Sequence, residues 1–319
     1  MNILFVIGNG FDVSLGLKTG YQDFFDYYLK QPSENEVIKK LKDYLHSARY
    51  DTWADLELGL GMYTAKVTSI DKMRCVYYDL SDRLKEYLKD QENEFTTTDS
   101  ITSAITSGLL YPHAVLPIGV TNAINTYRSG MQPYLIDIIS FNYTNTLEKV
   151  LKPILVDKDQ TQLNKQTVLR SIKHIHMNLV DTDVIMGVND DSQILNKDFL
   201  NDELRRLLVK PYINQQLQNL VDTECLRLIQ NADLICLFGV SVGETDLMWW
   251  QAIGDRLQKS PLRILFYAYD KDTAIRNDEI IGKYAEYKSL LFNRMGISEP
   301  SEDQKARVFV GYKTRLFKV

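Results

Sequence analysis

Four clusters in this 319-residue chain carry side chains suited to chemistry, and each follows a short apolar run. The first is Gly8-Asn9-Gly10-Phe11-Asp12, directly after residues 2–7. Glycines spaced this closely after a strand let backbone N–H groups approach a nucleotide's phosphates, because no Cβ stands in the way. Two such glycines also make an ordinary tight turn. The second cluster, Phe141-Asn142-Tyr143-Thr144-Asn145-Thr146, offers an asparagine to bind an amide or orient a water. Its plainer reading is helix capping, with Thr144 or Asn145 preceding a helix near Leu147 and Glu148 in its first turn.

The third cluster is Lys173-His174-Ile175-His176-Met177-Asn178. Strand alternation puts His174 and His176 on one face. A metal site would need a third ligand, and no acidic or cysteine side chain adjoins them in sequence. The ordinary pKa of an imidazole suits His176 to general-base work, against the plainer reading of a satisfied structural histidine. The fourth cluster, Gly239-Val240-Ser241-Val242-Gly243-Glu244-Thr245-Asp246, is a second strand–glycine loop–helix unit that could hold a phosphate or ribose. Its Gly-x-Ser-x-Gly core is similar to a nucleophile elbow, but no histidine follows His176, which argues against a serine hydrolase. Apart from these stands Trp53-Ala54-Asp55-Leu56-Glu57. On a helix, Asp55 and Glu57 would point to different sides, as on a solvated face.

The elements that must position these side chains read as α/β. Apolar strands are expected at 2–7, 134–140, 168–176, 183–188, 234–238 and 263–268, with 307–312 and 313–319 as an antiparallel edge hairpin. Helical patterns intervene at 145–151, 201–230, 247–257 and 275–295, and a short helix is expected over 13–17. This alternation predicts a Rossmann-like, mostly parallel sheet with helices on both faces. Residues of about 20–130 are helical, notably 21–29 and 71–91, and read as a large insertion after the first strand and helix. The polar stretch 91–98 reads as a mobile connection. With no internal repeat, residues 1–319 are expected to form a single composite domain.

Composition narrows the function classes. A net charge of −5 gives no global attraction to nucleic acid or anionic membrane. Cys75, Cys225 and Cys236 are odd in number and far apart, which fits free thiols in a reducing compartment better than a disulfide frame or metal site. No apolar run reaches spanning length. A cytoplasmic protein without a membrane partner is expected.

In this order, the motifs resemble the AbiH family of bacteriophage abortive infection proteins. The likeness rests on Ile7-Gly8-Asn9-Gly10-Phe11-Asp12, Gly16-Leu17-Lys18-Thr19 with Tyr21 and Phe24, and Trp53-x-Asp55-x-Glu57. It continues through Ser140-Phe141-Asn142-Tyr143-Thr144, His174-Ile175-His176 and Phe238-Gly239-x-Ser241-x-Gly243-x-x-Asp246. More remotely, the order is similar to the sirtuin-type NAD-binding fold. That resemblance implies NAD as ligand or substrate and no required cofactor or metal. It places Gly8, Asn9, Gly10 and Asp12 at the pyrophosphate and ribose, Asn142 near the nicotinamide ribose and His176 as general base. Met177 stands where that pattern has glycine, and Val240 where the AbiH pattern usually has histidine.

The expected function is therefore an antiphage effector that hydrolyses NAD or a related dinucleotide. Asn142 and His176 are its catalytic candidates, with Glu57 or Asp246 sharing the work. The binding candidates are Gly8, Asn9, Gly10, Phe11, Asp12, Gly239, Ser241, Gly243 and Asp246. One alternative is a nucleotide-sensing module without turnover. Another is a nuclease or RNA-directed toxin using Asp55, Glu57 and the basic residues of 201–210, although nucleic acid is the less expected partner. A homo-oligomer and a phage-derived trigger both remain open.

Overall fold

The computed structural model describes residues 1–47, 55–155, 161–180, 184–269, 276–314 and 316–317. The first strand, β1 (Asn2–Ile7), is apolar throughout its buried length because both faces are covered. Ile3, Phe5 and Ile7 enter one hydrophobic core, while Leu4 and Val6 enter the other on the opposite face. Beside β1 lie β2 (Tyr134–Ser140) on one side and β5 (Leu234–Phe238) on the other, both parallel to it. The full order is β3 (Thr161–Asn164), β4 (Thr167–His174), β2, β1, β5, β6 (Arg263–Ala268) and β7 (Val308–Tyr312). Only β3, at one edge, runs antiparallel. The chain builds outward from β1 through β2 to β4, then returns to start β5 on its other side. The strand order therefore reverses at β1, where the carboxyl ends open a crevice.

The helical insertion follows β1 and the five-residue α1 (Gly10–Ser14). It comprises α2 (Tyr21–Tyr28), α3 (Glu36–Ser47), α4 (Leu56–Tyr63), α5 (Ile70–Glu94), α6 (Asp99–Leu110) and α7 (Ile118–Arg128). Much of it shares a separate core, in which Phe24, Tyr28, Leu41, Leu60, Leu80 and Leu84 pack together. Ser69 and Thr98 begin α5 and α6 by accepting N–H donors with their hydroxyls, as helix-capping residues do. The remaining helices are α8 (Thr146–Leu151), α9 (Asp202–Leu208), α10 (Lys210–Gln216), α11 (Val221–Asn231), α12 (Leu247–Lys259), α13 (Asn277–Arg294) and α14 (Glu302–Arg307).

Several elements differ from the sequence expectation. The first helix begins at Gly10, not Val13, and ends before Gly16, whose φ of +90° turns the chain. The 201–230 pattern is broken at Val209, which precedes the Pro211 turn of α10, and at Gln218, whose φ is positive. α5 reaches Glu94, so the connection before α6 shrinks to 95–98. Residues 184–188 form no strand and make only an isolated bridge from Val188 to Val209. Their apolar side chains Val184, Met186 and Val188 instead fill the insertion core; Asp183 lies outside the described residues. Among the described residues no hairpin follows β7, which pairs parallel to β6. Leu316 and Phe317 turn inward, where Phe317 meets the rings of Phe5, Phe11 and Phe238. Arg315 and residues 318–319 lie outside the described residues.

Candidate functional site

A cleft of about 630 Å³ opens at the carboxyl ends of β1, β2, β4 and β5, roofed by the insertion. Asn9, Asn142, His176 and Ser241, far apart in sequence, all line it, as do Gly8, Asp12, Gly239, Gly243 and Asp246. Asp55 and Glu57 reach it from the insertion. Gly10 and Phe11 do not line it. Phe11 is fully buried with its ring edge-on to Phe317, so it belongs to the core.

The glycines serve a loop-to-loop contact. Gly8 N–H donates to Phe238 O and Gly10 N–H to Gly239 O, each at 2.9 Å. A Cβ on Gly8 would stand 2.7 Å from Gly239 O, and one on Gly239 would stand 2.6 Å from Phe11 N. Gly239 also has a φ of +69°, which L side chains adopt at a cost. Because Phe11 N–H donates to Gly8 O, the N–H groups of Gly8, Gly10 and Phe11 are already spent on protein carbonyls. The expected phosphate cradle is thus narrower than the glycine spacing suggested. Asn9 is likewise tied to the protein, its Nδ2 donating to Thr19 O and its Oδ1 accepting from the Thr19 hydroxyl.

Asp12 and Asn142 meet at the floor of the cleft. Asp12 is 1% exposed; its Oδ1 accepts from Asn142 Nδ2 at 3.3 Å and its Oδ2 from the Thr144 hydroxyl. Burial outweighs these hydrogen bonds and raises the Asp12 pKa from 3.8 to about 6, with Glu92 on α5 adding like charge. Thr144 therefore binds Asp12 in place of its expected capping role, and Asn145, although at the cap position of α8, makes no side-chain cap bond. Asn142 Oδ1 is buried without a partner.

His174 and His176 part company. His174 Nδ1 lies 2.9 Å from Asn142 O and its Nε2 2.7 Å from Glu148 Oε1. The Asn142 carbonyl can only accept, so the Nδ1–H of His174 clamps the Asn142 backbone. His176 lies beyond the strand end between the rings of Phe141 and Tyr143. Its Nε2 is 3.3 Å from Asp246 Oδ1, within ion-pair range but without hydrogen-bond alignment, and has no hydrogen-bond partner. Met177, the residue in place of the expected glycine, adopts a φ of 61° and does not line the cleft. It keeps the glycine-like backbone at some cost in strain and leaves the cleft uncrowded. Trp249 and Trp250 are buried; Trp250 stacks on Phe141 and donates from Nε1 to Gly243 O, fixing the Ser241 loop.

A buried charge chain crosses the back wall. Lys210 Nζ donates to Glu57 Oε2 at 2.7 Å and to Asp246 Oδ1 at 2.8 Å. Glu57 Oε1 also accepts from the Tyr143 hydroxyl and from Gly187 N–H. Burial works against the Lys210 ammonium, yet Asp246 and Glu57 hold its pKa above the usual lysine value. Burial likewise opposes the Asp246 carboxylate, while Lys210 and His176 hold its pKa well down. Asp55 caps α4, accepting from the N–H groups of Glu57 and Leu58, and its other oxygen accepts from Thr245. As the cap residue it precedes the helix proper, so Asp55 and Glu57 both face the cleft and Glu57 is only 3% exposed. This corrects the expected solvated face; Trp53 and Ala54 lie outside the described residues.

Lys210, Tyr21, Tyr143 and Thr245 are site residues that sequence reasoning did not single out for roles. Tyr21 lines the cleft, where burial, then Glu57, Asp55 and Asp246, raise its hydroxyl pKa. The signal for Lys210 was its place in the apolar run Leu207-Leu208-Val209-Lys210-Pro211, where a lone charge needs a partner. The nucleic-acid reading counts Lys210 among the basic residues of 201–210, but it is buried, and Arg205 pairs with Asp191 and Asp202. Among the described residues, no group of three or more His, Cys, Asp or Glu side chains is arranged to hold a metal ion, and no helix is long and apolar enough to cross a membrane.

Among curated proteins, none matches this chain. The family described as "Bacteriophage abortive infection AbiH" matches residues 4–268, a span that includes most of β1, the helical insertion and all the cleft residues named above. On that match, covering most of its length, the chain belongs to the AbiH abortive infection family.

Proposed function

We propose that this AbiH protein acts against phage by binding NAD or a related dinucleotide in the cleft and hydrolysing its nicotinamide–ribose bond. One observation carries the reading: Asn142 Oδ1 and His176 Nε2 are buried without hydrogen-bond partners on residues that line one cleft. An unpaired buried polar atom costs about 1–3 kcal/mol. Two on the walls of one cavity favour a ligand as the missing partner. A cavity of about 630 Å³ is of the size used for small molecules and cofactors, and the reversal of strand order is where open α/β sheets take nucleotides. The order of Gly-loop, Asn, His and Gly-x-Ser elements, similar to sirtuin-type proteins, adds NAD as the candidate.

The chemistry suits these residues. Cleavage passes through an oxocarbenium-like state, and nicotinamide leaves as a neutral base from a cationic precursor, so no acid is required. Asp55 and Asp246 in the cleft favour the positive charge that develops on the sugar. A water oxygen attacks the anomeric carbon, the C–N bonding pair departs with nicotinamide, and the water's proton passes to His176 Nε2. The resulting imidazolium charge lies 3.3 Å from Asp246 Oδ1, which Lys210 holds ionised. Ser241 and Arg294 also line the cleft and would hold the pyrophosphate; Arg294 is paired there with Glu244.

The test is incubation of purified protein with NAD and chromatography of the products. Release of nicotinamide and ADP-ribose, reduced about 100-fold or more in Asn142→Ala and His176→Ala, supports the enzyme. Tight binding without release favours a nucleotide-sensing module, and divalent-dependent degradation of RNA or DNA favours the nuclease reading.

A further inference from the structure

We infer that Asp12 is a positioning residue that fixes the Asn142 amide with its oxygen toward the cleft, so that the site selects a neutral hydrogen-bond donor on its ligand. The inference deepens the reading above; it rests on the cleft being the ligand site and not on which bond is broken there.

An ionised carboxylate only accepts hydrogen bonds, so it draws the NH2 end of a neighbouring amide toward itself. Asp12 Oδ1 accepts from Asn142 Nδ2, and its other oxygen is occupied by the single donor of the Thr144 hydroxyl. The rest of Asn142 is held independently. Its N–H donates to Ser140 Oγ at 3.2 Å, and its carbonyl accepts from His174 Nδ1 at 2.9 Å. With the backbone pinned and the side chain reaching Asp12, the sense of the amide is what remains to be set, and Asp12 decides it. A flipped amide would set two acceptor oxygens against each other at 3.3 Å. What remains unpaired is Oδ1, an acceptor with the Asp12 charge behind it.

Such an atom accepts from a ribose hydroxyl or from a carboxamide NH2, and it repels a carboxylate placed there. The charged group that faces Asp12 from the packed elements is Glu92 on α5, of like charge, while the hydroxyls of Thr144 and Thr146 and the Asn142 amide favour the carboxylate. Protonation of Asp12 turns it into a donor and frees the amide to turn over. The lock is thus strongest where Asp12 is ionised.

The experiment uses the full chain and its Asp12→Asn variant, with calorimetric titration at pH 7.5 of three probes. These are NAD, nicotinic acid adenine dinucleotide, in which a carboxylate replaces the carboxamide, and an NAD analogue with fluorine at the nicotinamide-ribose 2′ position. The wild type is expected to prefer NAD over at least one analogue by about 10-fold or more, and the analogue that loses affinity identifies the donor. In Asp12→Asn, two amides can pair in either sense, and the preference falls to within about threefold. An unchanged preference in the variant overturns the inference. A second measurement needs no ligand: the Asn142 side-chain amide resonances, assigned by their loss in Asn142→Ser, should move with pH as Asp12 titrates and stay still in Asp12→Asn. Signals that do not respond to Asp12 overturn the inference; should no probe bind, the NAD reading fails and this titration decides the positioning role on its own.

Discussion

Replacing Asp12 with asparagine should change how stability depends on pH, in a direction and amount set by the site. The Asp12 carboxyl is 1% exposed and its pKa is raised from 3.8 to about 6. Between those values the folded chain holds a proton that the unfolded chain has lost, so stability falls as pH rises. A displacement of about two units, at about 1.36 kcal/mol each, corresponds to about 3 kcal/mol. That stabilisation is complete below about pH 4 and gone above about pH 6.5. Asp12→Asn removes the titration while keeping the shape. Its absolute stability also reflects altered hydrogen bonds to Asn142 and Thr144, so the informative quantity is the difference between the two proteins at each pH. Urea unfolding from pH 3 to 7.5 should show the wild type losing about 3 kcal/mol relative to the variant as pH rises. A difference that is flat across this range, or that grows in favour of the wild type, refutes the reasoning.

Four further substitutions test the frame of the cleft. Lys210→Met leaves Glu57 and Asp246 buried without their cation and should cost about 3–5 kcal/mol in urea unfolding. Adding Glu57→Gln should return part of that loss, and a cost below about 1 kcal/mol would contradict the pairing. Gly239→Ala places a methyl 2.6 Å from Phe11 N at a φ of +69° and should destabilise by more than about 2 kcal/mol, measured the same way. Met177→Gly relieves a φ of 61° and should raise the thermal midpoint, with a gain of up to about 1 kcal/mol; a clear loss would mean that the Met177 side chain packs more than its backbone strains.

The strand tips were legible because each is a short apolar run stopped by glycine or asparagine, a signal local in sequence. That regularity sufficed for β1, β2, β5 and β6 and for the meeting of Asn142, His176 and Ser241 in one crevice. Contacts between distant elements were not legible. The pairing of Lys210 with Glu57 spans 153 positions; the apolar run around Lys210 says that it needs a partner, but nothing beside it says which. Helical spacing across both residues puts Asp55 and Glu57 on different helix sides, whereas Asp55 is the cap and precedes the helix. Residues 184–188 alternate like a strand, yet their apolar side chains are taken by the insertion core while β3 occupies the sheet edge. A period of two records which side chains are buried, not what buries them.

The most direct measurement is a crystal structure of the His176→Ala protein soaked with NAD at saturating concentration. The account predicts the nicotinamide ribose against Asn142, a ligand donor directed at its Oδ1, and the pyrophosphate toward Ser241 and Arg294. Dinucleotide density outside the cleft, or an empty cleft under those conditions, would contradict it.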